Sequence, residues 1–245
     1  MTYRDTFVLI AAVIALCGAA VGQEGSATEA AKDEPLKEVN GLPLVFREDF
    51  GAGSDRWTAT DANAWKIVEE EGNHAYALHK SSEYEPPVRS PHSISLIKDL
   101  EVTDFVLEAR LKQTGKEYGH RDMCIFFGHV DPAHFYYVHI ATKADDHANS
   151  VFLVNNEPRV SIAKERTTGT DWATGYHHIR VTRDTGSGRI EVFFDDMTKP
   201  IMVAEDKTFL SGKIGFGSFD DTGNVDDVRI WARKKESAAP PKEGS

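Results

Sequence analysis

Between residues 42 and 233 apolar and polar side chains alternate with a period of two, and no stretch carries an amphipathic helix of three turns. Phe105, Leu107, Ala109 and Leu111 alternate with Val106, Glu108 and Arg110. Ile179 and Val181 alternate with His178, Arg180 and Thr182, and Ile190, Val192 and Phe194 with Glu191 and Phe193. Successive side chains on a strand point to opposite faces, so these runs predict half-buried antiparallel strands. Short turn clusters punctuate them: Gly51-Ala-Gly-Ser54, Asn155-Asn-Glu-Pro158, Asp184-Thr-Gly-Ser-Gly188, Asp195 to Pro200 and Asp220 to Asn224. About a dozen strands are expected. MCIFFG (123–128) and SVFLV (150–154) are apolar on both parities, as in strands with little solvent on either face. The prediction is an all-β, antiparallel two-sheet β-sandwich spanning 42–233.

The flanks read differently. Arg4 precedes an apolar run, Phe7 to Val21, which matches a secretory signal segment and is short for a membrane-spanning helix. Ala20 and Gly22 supply small residues at the −3 and −1 positions, which places cleavage before Gln23. Residues 1–22 are therefore read as a signal peptide, 23–41 as a flexible linker and 234–245 as a flexible tail, both polar and proline-containing. The mature chain is expected to be secreted or periplasmic, with no integral membrane segment. Processing removes Cys17 and leaves Cys124 without an intramolecular partner, so the core must stand without a disulfide. Cys124 lies within an apolar run and is expected to be buried. The formal net charge of −11 argues against nucleic acid, which requires clustered Lys and Arg. A neutral or weakly charged ligand fits better.

Histidine is concentrated: His120, His129, His134, His139 and His147 fall within one short stretch. If Tyr136, Val138 and Ile140 face the core, then Tyr137 and His139 project from the opposite face. By the same parity Glu108 and Arg110 leave the core on a second strand, and Tyr176, His178 and Arg180 on a third. On one shared sheet these residues would line a groove. Aromatic faces cover the apolar side of a sugar while Arg, His and Tyr bond its hydroxyls, so the candidate ligand-binding residues are Tyr137, His139, Arg110, Glu108, His178 and Arg180. The same groups could serve a β-elimination, with Arg or His offsetting a carboxylate and Tyr or His moving the proton. A zinc site from His129, His134 and His139 is a further possibility, although their five-residue spacing fixes no geometry. His177 shares the parity of Ile179 and reads as a core or interface histidine.

Three regions carry a family resemblance. Tyr176-His-His-Ile-Arg-Val-Thr-Arg-Asp184, followed by Gly188-Arg-Ile-Glu-Val-Phe-Phe-Asp-Asp196, resembles the laminin-G-like jelly rolls of the concanavalin A-like lectin/glucanase superfamily. Gly212-Lys-Ile-Gly-Phe-Gly-Ser-Phe219 with Val225-Asp-Asp-Val-Arg-Ile-Trp231 resembles its closing strands, and Val45-Phe-Arg-Glu-Asp-Phe50 its opening strand. Tyr176 stands where Trp is commoner. The resemblance implies a jelly roll that recognises a polysaccharide or glycan on its concave sheet, with a polysaccharide lyase or glycoside hydrolase, or a structural or adhesion domain, as alternatives. The glucanases of that group carry an E-x-D-x-x-E or E-x-D-x-E strand, which does not occur here. The resemblance also implies a structural calcium tying the first strand to the last, with oxygen ligands from Glu48 or Asp49 at one end and Asp226 or Asp227 at the other, Asp226 foremost.

Overall fold

The computed structural model describes residues 34–235 apart from Glu71, so the apolar leader, the expected cleavage point and the tail beyond Lys235 lie outside the described residues. Sixteen strands and one short 3-10 turn, Ala62–Ala64, make up the described secondary structure. The strands are β1 (Glu38–Val39), β2 (Leu42–Glu48), β3 (Trp57–Ala59), β4 (Trp65–Glu70), β5 (Asn73–Leu78), β6 (Ser93–Gln113), β7 (Asp122–Asp131) and β8 (His134–Ala141). They continue as β9 (Ser150–Asn155), β10 (Val160–Ser161), β11 (Ala163–Arg166), β12 (His177–Arg183), β13 (Arg189–Phe194), β14 (Met202–Glu205), β15 (Gly212–Ser218) and β16 (Gly223–Lys234). All pairings are antiparallel.

The long strand β6 builds both layers. Its first half, Ser93–Val102, pairs with β3 and β15, and the order continues through β7, β8 and β9 to β10. Its second half pairs with β16 on one side and β12 on the other; beyond β12 lie β13, β14 and β11, and beyond β16 lie β2 and β5. The crossover is marked by left-handed Asp99 (φ 53°) and by a register break where Glu101 faces Lys213 but Leu96 faces Gly215. A bulge of this kind bends a strand and lets one sheet fold over itself. The apolar sides of the two layers then meet, as in the edge-to-face contact of Phe105 with Phe127 at 5.6 Å.

The two layers differ in what covers their outer faces. In the second layer Leu107, Ala109, Leu111, Ile179, Val181, Ile190 and Val192 are buried against the core, while Glu108, His178, Arg180 and Glu191 face outward and stay partly exposed. In the first layer both parities are buried. Met123, Ile125, Phe127, Tyr136, Val138 and Ile140 join the main core, and Cys124, Phe126, Phe135, Tyr137, Phe152 and Val154 form a second apolar cluster on the reverse face. Val88 packs on that cluster, the Arg159 guanidinium lies 4.9 Å over Phe152, and Arg159 N–H donates to Arg89 O. Residues around 88 and 159 thus seal the reverse face.

The folded region is wider than the expected 42–233. Asn40 and Gly41 both hold positive φ (54° and 75°), the geometry of a two-residue hairpin for which Asn-Gly is the preferred pair, and they join β1 to β2. Trp231 Nε1 donates to Leu36 O at 2.7 Å, and at the other end Lys235 N–H donates to Glu101 O. The linker reading is corrected for residues 36–41 alone, and residues 23–33 of it lie outside the described residues.

Candidate functional site

On the outer face of the second layer the register sets side chains in rows across three strands. Asp226 of β16 lies opposite Arg110 of β6, which lies opposite His178 of β12; in the next row Arg229, Glu108 and Arg180 are aligned. Opposite charges placed across a strand pair attract. Arg180 Nε donates to Glu108 Oε1 at 2.8 Å, and His178 Nε2 lies 3.3 Å from Glu108 Oε2. Burial pushes the Glu108 carboxyl up, but the bonds from His178 and Arg180 and the guanidinium charge outweigh this and hold it below the usual carboxylate range. A carboxylate with a depressed folded-state pKa stabilises the fold above its unfolded pKa and loses that contribution as pH falls through the folded value. Glu108→Gln is therefore expected to cost about 1–2 kcal/mol at pH 7, with the gap to wild type closing below about pH 4. Urea titrations across that range check it, and a gap independent of pH would show that the charge contributes nothing.

Beside these rows stands Tyr176, in the segment entering β12. Its hydroxyl donates to Glu70 Oε2 at 3.0 Å, Lys112 Nζ donates to Glu70 Oε1 at 3.1 Å, and the Arg110 guanidinium lies 5.8 Å from the ring centroid. Burial and the bond to Glu70 push the phenol pKa up, so its hydroxyl remains a donor. For Glu70, burial raises the pKa and the Lys112 and Tyr176 bonds lower it by more, leaving an ionised acceptor. Glu70, Lys112, Tyr176, Arg110 and Asp226 line a depression of about 520 Å³. Through Arg110 and Tyr176 it continues into a second of about 320 Å³, lined by Glu108, His178, Asp195, Asp227 and Arg229. Further along the same face Val106, Thr182, Glu191 and Arg233 border a third of about 360 Å³. The result is an open furrow with donors and acceptors of both signs beside one aromatic ring.

The structure divides the sequence-predicted residues. Glu108, Arg110, His178 and Arg180 share this face. Tyr137 and His139 belong to the other layer, where they are 0% and 3% exposed, so the single groove expected to hold all six is corrected. Parity did turn both away from the main core, but the reverse face is itself covered. Glu70 and Lys112 were missed; Lys112 continues the parity of Glu108 and Arg110 and was legible, whereas Glu70 reaches Tyr176 from another strand.

The expected metal ligands do not converge either. Glu48 accepts from Phe50 N–H at 3.1 Å and faces Arg56, Asp49 accepts from Gly51 N–H, and Asp226 lines the furrow; none belongs to a group of three close ligand atoms among the described residues. His129, His134 and His139 also stay apart in role: His129 stacks on Phe135, His134 pairs with Asp131, and His139 faces Asp122. Two other groups do bring their ligand atoms within 4.8 Å: Asp122, Cys124 and His139, and Asp122, Asp220 and Asp221. Three carboxylates are compatible with calcium. His177 is buried, with Nδ1 2.7 Å from Asp195 Oδ2.

The chain matches no protein-family profile and no curated protein sequence. Solved structures share its fold. A carbohydrate-binding module from Bacillus subtilis, CBM66, superposes with a TM-score of 0.51 at 19% identity, over 72% of this chain and 96% of that one. The metal-free form of lectin I-B4 from Griffonia simplicifolia gives 0.51 at 13% identity, over 77% and 98%. Domain 4 of an extracellular arabinanase from Geobacillus stearothermophilus, in complex with arabinotriose, gives 0.50 at 11% identity, over 80% and 95%. At such identities the likeness shows a concanavalin A-like, galectin-like β-sandwich fold.

Proposed function

We propose that this protein is a carbohydrate-recognition domain that binds a polysaccharide or glycan in the furrow on the outer face of the second layer. The observation that carries the reading is the contrast between faces: one holds continuous depressions lined by Tyr176, Arg110, Lys112 and Glu70, and the other is sealed by an apolar cluster. Alternating donors and acceptors with little net charge suit sugar hydroxyls, and a half-exposed ring suits the apolar side of a pyranose. Solved neighbours described as a carbohydrate-binding module and a lectin support the same class. Binding is favoured over hydrolysis because a general acid needs a raised pKa, and Glu70 and Glu108 are both held low by cationic partners. The leader with Arg4 and the Phe7 to Val21 run supports action outside the cytoplasm, and no helix among the described residues is long and apolar enough to cross a membrane.

A panel of soluble polysaccharides, assayed for binding and for product, tests the proposal. Tyr176→Ala and Arg110→Ala should each weaken the best ligand roughly tenfold or more, about 1.4 kcal/mol, with the fold intact by thermal melting. Unchanged affinity in both variants removes the furrow as the site. Release of reducing ends or unsaturated uronates by the wild type replaces the binding reading with an enzymatic one, and binding to protein surfaces alone replaces it with adhesion.

A further inference from the structure

The reverse face of the first layer holds a polar group that carbohydrate recognition does not use. Asp122 and Cys124 are two residues apart on β7, so they share a face, and His139 of β8 lies directly opposite Cys124 in the register. The Cys124 thiol donates to Asp122 Oδ2 at 3.0 Å, and His139 Nε2 lies 3.7 Å from the same oxygen. All three side chains are sealed from solvent, and their ligand atoms lie within 4.8 Å of one another. A tetrahedral zinc ion with nitrogen, oxygen and sulfur ligands sets its donors roughly 3.3–3.8 Å apart, as its bond lengths near 2.0–2.3 Å require. The donors are therefore close to the spacing such an ion needs.

We propose that Asp122, Cys124 and His139 form a buried site for a divalent transition-metal cation of zinc type, reached from the surface through Asp220 and Asp221. The donor set mixes a thiol, an imidazole and a carboxylate, which suits a borderline cation and is poor for calcium, which takes six to eight oxygens. The second convergent group shares Asp122 and leads outward through Asp221 to exposed Asp220, so a hydrated cation meets carboxylates along its way in. The charges also balance, because a thiolate and a carboxylate neutralise a 2+ ion in a site where either anion alone would be costly. Without a cation, burial favours the neutral forms: it pushes the Cys124 thiol up, Asp122 up to about 7 and His139 down to about 3. On binding, the thiol proton and any proton on Asp122 leave to solvent. Asn149 N–H donates to His139 Nδ1 at 3.4 Å, which puts the ring proton on Nε2; ligation through Nε2 sends that proton to Nδ1 and gives up this long contact.

Cobalt(II) is the probe, because a thiolate ligand gives it a near-ultraviolet charge-transfer absorption. Chelator-stripped full-length protein is titrated in the native state and, separately, refolded from denaturant with the ion, since the site is closed. The expected result is one equivalent of Co²⁺ with the thiolate band, displaced by Zn²⁺ and not by Ca²⁺, and a higher melting temperature of the loaded protein. Cys17→Ser, which removes the other cysteine, should keep the band. Cys124→Ser should lose it, and His139→Gln should weaken binding roughly tenfold or more. Absence of the band from folded wild type by both routes overturns the proposal without reference to any variant. So does a band that survives Cys124→Ser, or stabilisation by Ca²⁺ with no response to Co²⁺ or Zn²⁺.

Discussion

Tyr137→Ala is expected to lower the stability of the folded domain by about 3–5 kcal/mol, the range for deleting a buried aromatic ring. The ring is fully buried, stacks on Phe152 at 5.1 Å with planes 16° apart, and lies 5.9 Å from Phe126. Truncation leaves a cavity beneath Arg159 and takes away the hydroxyl to which Arg159 Nη1 donates at 2.8 Å. A charged donor stripped of its acceptor in a half-buried position adds to the loss. Tyr137→Phe separates the terms, because it keeps the ring and removes only the acceptor; it should cost about 1–2 kcal/mol. Urea denaturation of the two variants and the wild type makes the measurement. A loss below about 1 kcal/mol for Tyr137→Ala, with glycan binding abolished, would return Tyr137 to a ligand groove and overturn the assignment of the reverse face as closed.

That assignment marks where sequence periodicity stops being informative. On β6, β12 and β13 one face is wet, so alternation separates Leu107 and Ile179 from Glu108 and His178, and the co-facial polar set is legible. On β7, β8 and β9 both faces are dry, and a run such as Met123 to Gly128 says that it is buried twice without saying by what. The second cover comes from Val88 and Arg159, in segments with no periodicity, and their contacts with Phe152 and its neighbours exist only after folding. The same holds for the furrow. Tyr176 and Glu70 are 106 residues apart, and nothing local announces their bond. The Asp122, Cys124 and His139 group was within reach, since two residues at i and i+2 need only one cross-strand register to gain a third partner. Five-residue histidine spacing points to a different trio, in which His129 stacks on Phe135 and His134 pairs with Asp131. The carboxylates of Glu48 and Asp49 show another contact that local sequence can announce: acids at strand ends often accept from the backbone N–H groups of the turn that follows, as both do here. The Asn40-Gly41 hairpin, by contrast, was a readable signal that polar composition alone obscured.

Gly217→Ala should be among the most damaging single-methyl changes available to this chain, costing more than about 4 kcal/mol or preventing folding. Gly217 sits in β15, the strand that joins β6 to β7 and so ties the two halves of the first layer together. A Cβ there would lie 1.8 Å from Ser93 O and 2.8 Å from Ser93 C, both backbone atoms of β6, and 3.1 Å from the Phe126 ring. A side chain could rotate away from such a clash; a carbonyl in a paired strand cannot move without breaking the ladder. Gly215 meets the same obstacle, with Ser95 O at 2.2 Å from its ideal Cβ, so the last two glycines of GKIGFG follow the close approach of the β6 carbonyls, whereas Gly212 abuts the β7 backbone at Gly128. Gly119 provides the control. Its added Cβ would meet only Lys143 side-chain carbons at 3.5 and 3.7 Å, an ordinary contact, and Gly119→Ala should stay within about 1 kcal/mol of wild type. The comparison is made by the yield of soluble protein and the denaturation midpoint. A soluble Gly217→Ala protein that melts with wild type would mean that β15 does not run this close to β6, and the pairing that closes the first layer would have to be redrawn.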